Sequence, residues 1–132
     1  MDSSQLSDFE INVAVFEAIH NGSPDYKEGE NGDMVFVSFE GDIVNGDAVE
    51  VEVERGSFNP CANPADAWPI ITENKISTMW MTAEKEWCAW SGGDLEEGCW
   101  EWENIPDYCF CGESPLRAAM IVFLMMQDAN NA

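Results

Sequence analysis

The chain has 132 residues, with 26 Asp and Glu against 5 Lys and Arg and a formal net charge of −21. That balance excludes direct binding to nucleic acid and to anionic membrane surfaces, because both need clustered cations. At 45% hydrophobic, with six Trp and seven Phe, the sequence is too apolar for a disordered acidic chain, and its length fits one domain, 1–132.

The first predicted element follows Ser7. Ser7 and Glu10 have capping-box spacing, and Leu6 and Ile11 stand where a hydrophobic staple would lie. Apolar residues at 11, 14, 15, 18 and 19 then repeat with helical spacing, so a helix is expected over 7–20, stopped by Asn21-Gly22. The lone His20 at its end has no nucleophile near it in sequence and reads as a surface side chain. Residues 21–33 are polar and glycine-rich and read as a loop.

Met34–Glu40 and Ala48–Glu54 are strand-like, and Asn45-Gly46 between them signals a hairpin. Register decides which side chains share a face. A strict two-residue turn pairs Val44 with Asp47 and sets Phe39 opposite Glu52 and Val37 opposite Glu54, mixing apolar and acidic residues. A three-residue loop with Gly46 in a left-handed bulge sets Phe39 against Val51 and Val37 against Val53 instead. That second register buries the valines and is the expectation. It gathers Glu40, Asp42, Glu50, Glu52 and Glu54 on one outer face.

A second helix is expected over 64–74, with Asn63 as cap and Pro64 at the first helical position, and Asp66 as the alternative cap. Ile76–Thr82 and Glu86–Trp90 read as strands, Trp100–Glu103 and Tyr108–Cys111 as weaker ones. Ser114-Pro115 opens a last helix, 115–128, that is apolar nearly all round and therefore buried. Trp68 and Trp80 are assigned to the core. The fold class is α+β: one small antiparallel sheet packed with three helices, sandwich-like. The longest apolar run, Ala118–Met126, is far short of the roughly 20 residues of a membrane helix. The acidic opening MDSSQLSDFE shows no signal-peptide pattern, which points to the cytoplasm.

Five cysteines at 61, 88, 99, 109 and 111 form no disulfide framework by count or spacing and contain no Cys-x-x-Cys pair. They are expected as free thiols, with no metal and no cofactor. Catalysis is not expected, since no cysteine has a histidine partner in a recognisable motif and no pair of carboxylates is placed in a pocket.

Three phrases carry a family resemblance: SQLSDFEIN near the start, NPADAWPIITENKIS at 63–77, and SPLRAAMIVFLMMQ at 114–127. They resemble the NinX family of lambdoid bacteriophage accessory proteins. The resemblance implies a phage-encoded protein in the cytoplasm of the infected host and an α+β sandwich, and it carries over no functional residues. The acidic hairpin 34–56 and the acidic, Trp-rich segment 84–113 stand apart from those phrases and are expected as insertions atypical of the family.

Those two segments carry the functional expectation. Residues 25–54 hold ten acids and one base, Lys27; residues 94–113 hold seven acids and no base. Alternate glutamates on a strand lie about 6.6 Å apart, close to the spacing on the order of 7 Å between phosphates along one DNA strand. The expected activity is therefore inhibition of a host DNA-binding or defence protein with a basic cleft, by an acidic surface that imitates DNA. The candidate contact residues are Glu40, Asp42, Glu50, Glu52, Glu54, Asp94, Glu96, Glu97, Trp100, Glu101, Trp102 and Glu103. The alternative is a phage accessory factor that binds protein through the Trp-rich segment without mimicry. A second copy of the chain is an allowed partner.

Overall fold

The computed structural model describes residues 3–95, 102–104 and 106–130. A 3-10 turn at Ser3–Gln5 leads into helix α1, Asp8–His20. Its start is the expected capping box: the Ser7 hydroxyl accepts from the Glu10 N–H, and the Glu10 carboxylate accepts from the Ser7 N–H. These bonds hold the Glu10 carboxyl below its ordinary pKa, the backbone contribution being the larger. Strand β1 (Tyr26–Glu28) follows within the stretch read as a loop.

The hairpin is longer than its sequence signal: β2 spans Met34–Val44 and β3 spans Asp47–Phe58. Helix α2, Pro64–Glu73, is capped by Asn63, whose side chain accepts from the Ala65 N–H. Asp66, the alternative cap, instead accepts from the Asn59 N–H. Strands β4 (Ser77–Met81), β5 (Glu86–Ser91), β6 (Asp94–Leu95), β7 (Trp102–Asn104) and β8 (Tyr108–Gly112) precede helix α3, Pro115–Asn130.

The α+β class holds, with three helices and antiparallel strands. The single expected sheet is instead divided. Strands β1-β2-β3 form one three-stranded sheet, β4-β5-β8 another, and β6-β7 a two-stranded pair. The break falls where the chain leaves β3 through the Asn59–Asn63 turn into α2, so no strand passes from one sheet to the next.

Helix α3 is the centre of the core. Seven consecutive residues, Ala118 to Leu124, are buried. A run of that length leaves no face for water, so the helix needs cover on every side. Sheet β4-β5-β8 covers it from one side, with Ala89 buried and Phe110 and Tyr108 packed on the core; α1 and α2 cover the others through Ile11, Val15, Ile70 and Ile71. Arg117 pins α3 to the start of α1, donating from Nε to Asp8 Oδ1 at 2.9 Å and from a terminal nitrogen to the Leu6 carbonyl at 2.7 Å.

A polar hub joins α1 to two loops. Asn12 is fully buried. Its Nδ2 donates to the Gly32 carbonyl at 2.9 Å and to Asn59 Oδ1 at 2.8 Å, and its Oδ1 accepts from the Cys61 N–H at 3.1 Å. Every polar atom of that side chain has a use, and an apolar replacement would strand its partners. Asn12→Ala should lower the unfolding free energy by about 2–4 kcal/mol in urea titration, from the roughly 1–3 kcal/mol lost per unsatisfied buried group. A change under about 0.5 kcal/mol would remove the hub from the account of the fold.

Candidate functional site

The β2–β3 ribbon is the most acidic described element, with Glu40, Asp42, Asp47, Glu50, Glu52 and Glu54 against Arg55 alone. Only its base belongs to the core. Met34, Val35 and Val37 are buried, and Phe36 and Phe58 pack on Phe16 of α1. From Phe39 to Gly56 every residue except half-buried Val53 is exposed. The ribbon is an arm that projects from the body.

Its register differs from the expected one. Val44 pairs with Asp47, Phe39 with Glu52 and Val37 with Glu54, the two-residue-turn arrangement. Asn45 (φ 53°) and Gly46 (φ 85°) both adopt the left-handed conformation, as a type I′ turn requires. The expected three-residue loop rested on burying the valines. On an arm with no core behind it, that burial has nothing to offer, and the turn chemistry sets the pairing. The irregularity sits lower: Phe36 pairs with Gly56 and Val37 with Glu54, which leaves Arg55 as the extra residue of a bulge. Gly56 at φ 141° supplies the conformation the bulge demands.

The acids therefore divide between two faces. Glu50, Glu52 and Glu54 share one face, with Phe39 and Ile43 among them. Glu40 and Asp42 lie on the other, beside Val49, Val51 and Val53. The expected gathering of all five on one side is not what the fold makes. Nor are they bare. Lys27 Nζ stands 2.8 Å from a Glu52 oxygen and 3.0 Å from a Glu54 oxygen. Arg55 pairs with Glu40 and donates from Nε to the Ser38 hydroxyl at 2.7 Å. Among the described residues no ion pair reaches Glu50. Lys27 is the lone base of residues 25–54; the β1–β2 pairing, which sets it beside Val35, brings it within reach of the glutamates. The hydrogen bonds to Glu52 and Glu54 raise the Lys27 pKa above its ordinary value.

Exposed apolar side chains accompany the charges: Phe39 at 54% exposure and Ile43 at 74% on the three-glutamate face, Val44, Val49 and Val51 on the other. Below the arm, Lys27, Glu28, Glu30, Asp33 and Glu54 border an open depression of about 400 Å³. It brings carboxylates near one another without enclosing them.

The remaining candidates fall on the second segment. Glu96, Glu97, Trp100 and Glu101 lie outside the described residues. Asp94 belongs to β6, and Trp102 and Glu103 belong to β7. Two tryptophans assigned to the core are on the surface: Trp68 is 64% exposed and Trp80 45% exposed. Trp68 borders an open depression with Ile71 and Thr72, and Trp80 sits on edge strand β4, in edge contact with Trp87 at a centroid separation of 5.6 Å.

The cysteines also differ from expectation. Cys88 on β5 and Cys111 on β8 are directly paired across the strands, with Cα atoms 4.1 Å apart, and form a disulfide. Their 23-residue separation gives no hint of it; strand register makes the pair. Cys61 is a buried free thiol whose pKa is pushed up to about 12 by desolvation, with Asp8 adding to the effect. Cys109 is free and exposed.

The class defined by these features is an α+β protein with one buried helix at its centre and an acidic β-ribbon projecting from it. Among the described residues no helix is long and apolar enough to cross a membrane. The chain belongs to the phage family described as Bacteriophage P22, NinX, which matches residues 2–127. The match encloses both acidic segments as well as the three phrases that carry the resemblance. No curated protein and no solved structure matches the chain.

Two outcomes follow from the ionisations. The Lys27 ion pairs contribute stability in full below the ordinary lysine pKa of about 10.4 and lose it as pH rises through the higher folded value. The melting-temperature gap between the parent and Lys27→Met should therefore narrow above that pH; a gap unchanged to pH 12 would dismiss the pairs. In the native protein at pH 8, iodoacetamide should modify Cys109 and spare Cys61, read by peptide mass spectrometry. Equal labelling of both would contradict the burial of Cys61.

Proposed function

We propose that this chain is a non-enzymatic phage inhibitor that binds a basic cleft on a host DNA-handling or defence protein, with the β2–β3 arm as its contact element. The observation that carries this reading is the arm itself: a ribbon solvent-exposed on both faces, with carboxylates on each. A two-stranded ribbon gains little stability alone, so a long one held out from the body fits a role in contacting something else. Glu50, Glu52 and Glu54 keep the strand repeat of about 6.6 Å along one face, which matches the phosphate spacing of a nucleic-acid strand to within about an ångström. The interleaved Phe39 and Ile43 add apolar area that a phosphate row lacks, and they favour a protein cleft over any smaller cation. Lys27 holds Glu52 and Glu54 of that row in the free protein, and Arg55 holds Glu40 on the other face. A cationic partner would take over those carboxylates.

A second reading has its own support. Trp68 and Trp80 are large apolar side chains left in water, and such residues anchor protein interfaces. In that reading the protein is a phage accessory factor acting through tryptophan contacts without mimicry.

Salt and mutation separate the two. The tagged chain is used to capture its partner from host lysate, and the partner is then measured in purified form. An acidic-arm interface should lose tenfold or more in affinity between about 50 and 200 mM salt, as phosphate-like contacts do. Glu50→Gln/Glu52→Gln/Glu54→Gln should lose a similar factor at low salt, and DNA should compete with the parent chain. Affinity that ignores salt and the triple variant but falls with Trp68→Ala/Trp80→Ala would transfer the function to the tryptophans.

A further inference from the structure

On β8, Cys109 and Cys111 are two residues apart and so share a face; on β5, Cys88 lies directly opposite Cys111. That face is the one turned away from α3, since Ala89 and Phe110, which lie on the opposite face, belong to the core. The Sγ atoms of Cys88, Cys109 and Cys111 all lie within 4.8 Å of one another. Two are half-buried and one is exposed, so the cluster is held by the sheet and open to solvent.

We propose that Cys88, Cys109 and Cys111 form a three-thiolate zinc site that exists when the Cys88–Cys111 disulfide is reduced. A dithiol reductant supplies two electrons and two protons, breaking the S–S bond to give two thiols and becoming a disulfide itself. Binding then releases three thiol protons to solvent as three S–Zn bonds form, with water in the fourth position. Zn–S bonds of about 2.3 Å in tetrahedral geometry set sulfurs roughly 3.8 Å apart. The Cys109 sulfur already lies within 4.8 Å of the other two, which part from bonding distance once the disulfide is reduced, and two adjoining strands of one sheet fix the backbones. Side-chain rotation after reduction is enough to complete the site. Thiolate ligands select zinc over the hard cations that carboxylates attract, and a chain of net charge −21 concentrates divalent cations around itself. Oxidation withdraws two of the three ligands at once, so occupancy of the site is gated by the redox state of one bond.

The test uses the full chain, reduced with a phosphine under anaerobic conditions. Cobalt(II) should bind with one ion per chain and a thiolate-to-metal charge-transfer absorption that zinc abolishes. The oxidised chain should show none. Cys109→Ser, a change at an exposed position, should weaken cobalt binding by about tenfold or more, at least the loss seen when a ligand's supporting partner is removed; Cys61→Ser should bind like the parent. Circular dichroism of each variant checks the fold. Independently of any variant, zinc should protect Cys88, Cys109 and Cys111 of the reduced parent from alkylation. Absence of charge-transfer absorption, unchanged affinity in folded Cys109→Ser, or alkylation indifferent to zinc would each overturn the site.

Discussion

The structure depends on the burial of α3. A helix with seven consecutive buried residues cannot exist on a surface, and the rest of the body is arranged to enclose it. Sheet β4-β5-β8 supplies one wall; α1 and α2 supply the others. Arg117 then turns the N-terminal end of that helix into a fastening point for the start of α1. Asn12 does the same for the loops on the other side of α1, as a buried polar group with all its partners in place. These contacts bury most of the apolar side chains of the three family-like phrases, Trp68 excepted. Little is left to cover the ribbon.

That shortage explains the arm. Its base packs on Phe16, while the rest extends beyond any apolar surface that could receive it. Strands in water on both faces lose the usual reason to sort valine from glutamate. The alternation Val49-Glu50-Val51-Glu52-Val53-Glu54 then describes two different outer faces, each with its own mixture. Like charges facing one another would destabilise the pairing, and the division of the acids between faces limits this. Lys27 and Arg55, two of only five basic side chains, are used on the arm.

The outer face of the second sheet uses cysteine where the arm uses charge. Strand pairing sets Cys88 against Cys111 and leaves Cys109 beside them, so a covalent bond closes the sheet next to a third thiol. Cys61, by contrast, is a small apolar side chain in effect, its thiol kept protonated by burial. The four described cysteines thus have no common role, while Cys99 lies outside the described residues.

The sequence by itself determined whatever depends on neighbours along the chain. The Ser7–Glu10 capping box, the Asn63 cap, the Asn45-Gly46 turn and the all-round apolar stretch from Leu116 are local, and each formed the element it signalled. The family, too, was legible in its three phrases. The tertiary structure alone decided what depends on whether a core lies nearby. Only the fold shows that the hairpin stands clear of the body, and that fact overturned a register chosen to bury valines. Only the packing of α2 and the sheet edge leaves Trp68 and Trp80 in water. Only the pairing of β5 with β8 brings together cysteines 23 residues apart. Local signals specify backbone conformation at a few residues' range; burial and long-range pairing are properties of the assembled chain, and the same Val-Glu alternation fits a covered sheet and a free ribbon equally well.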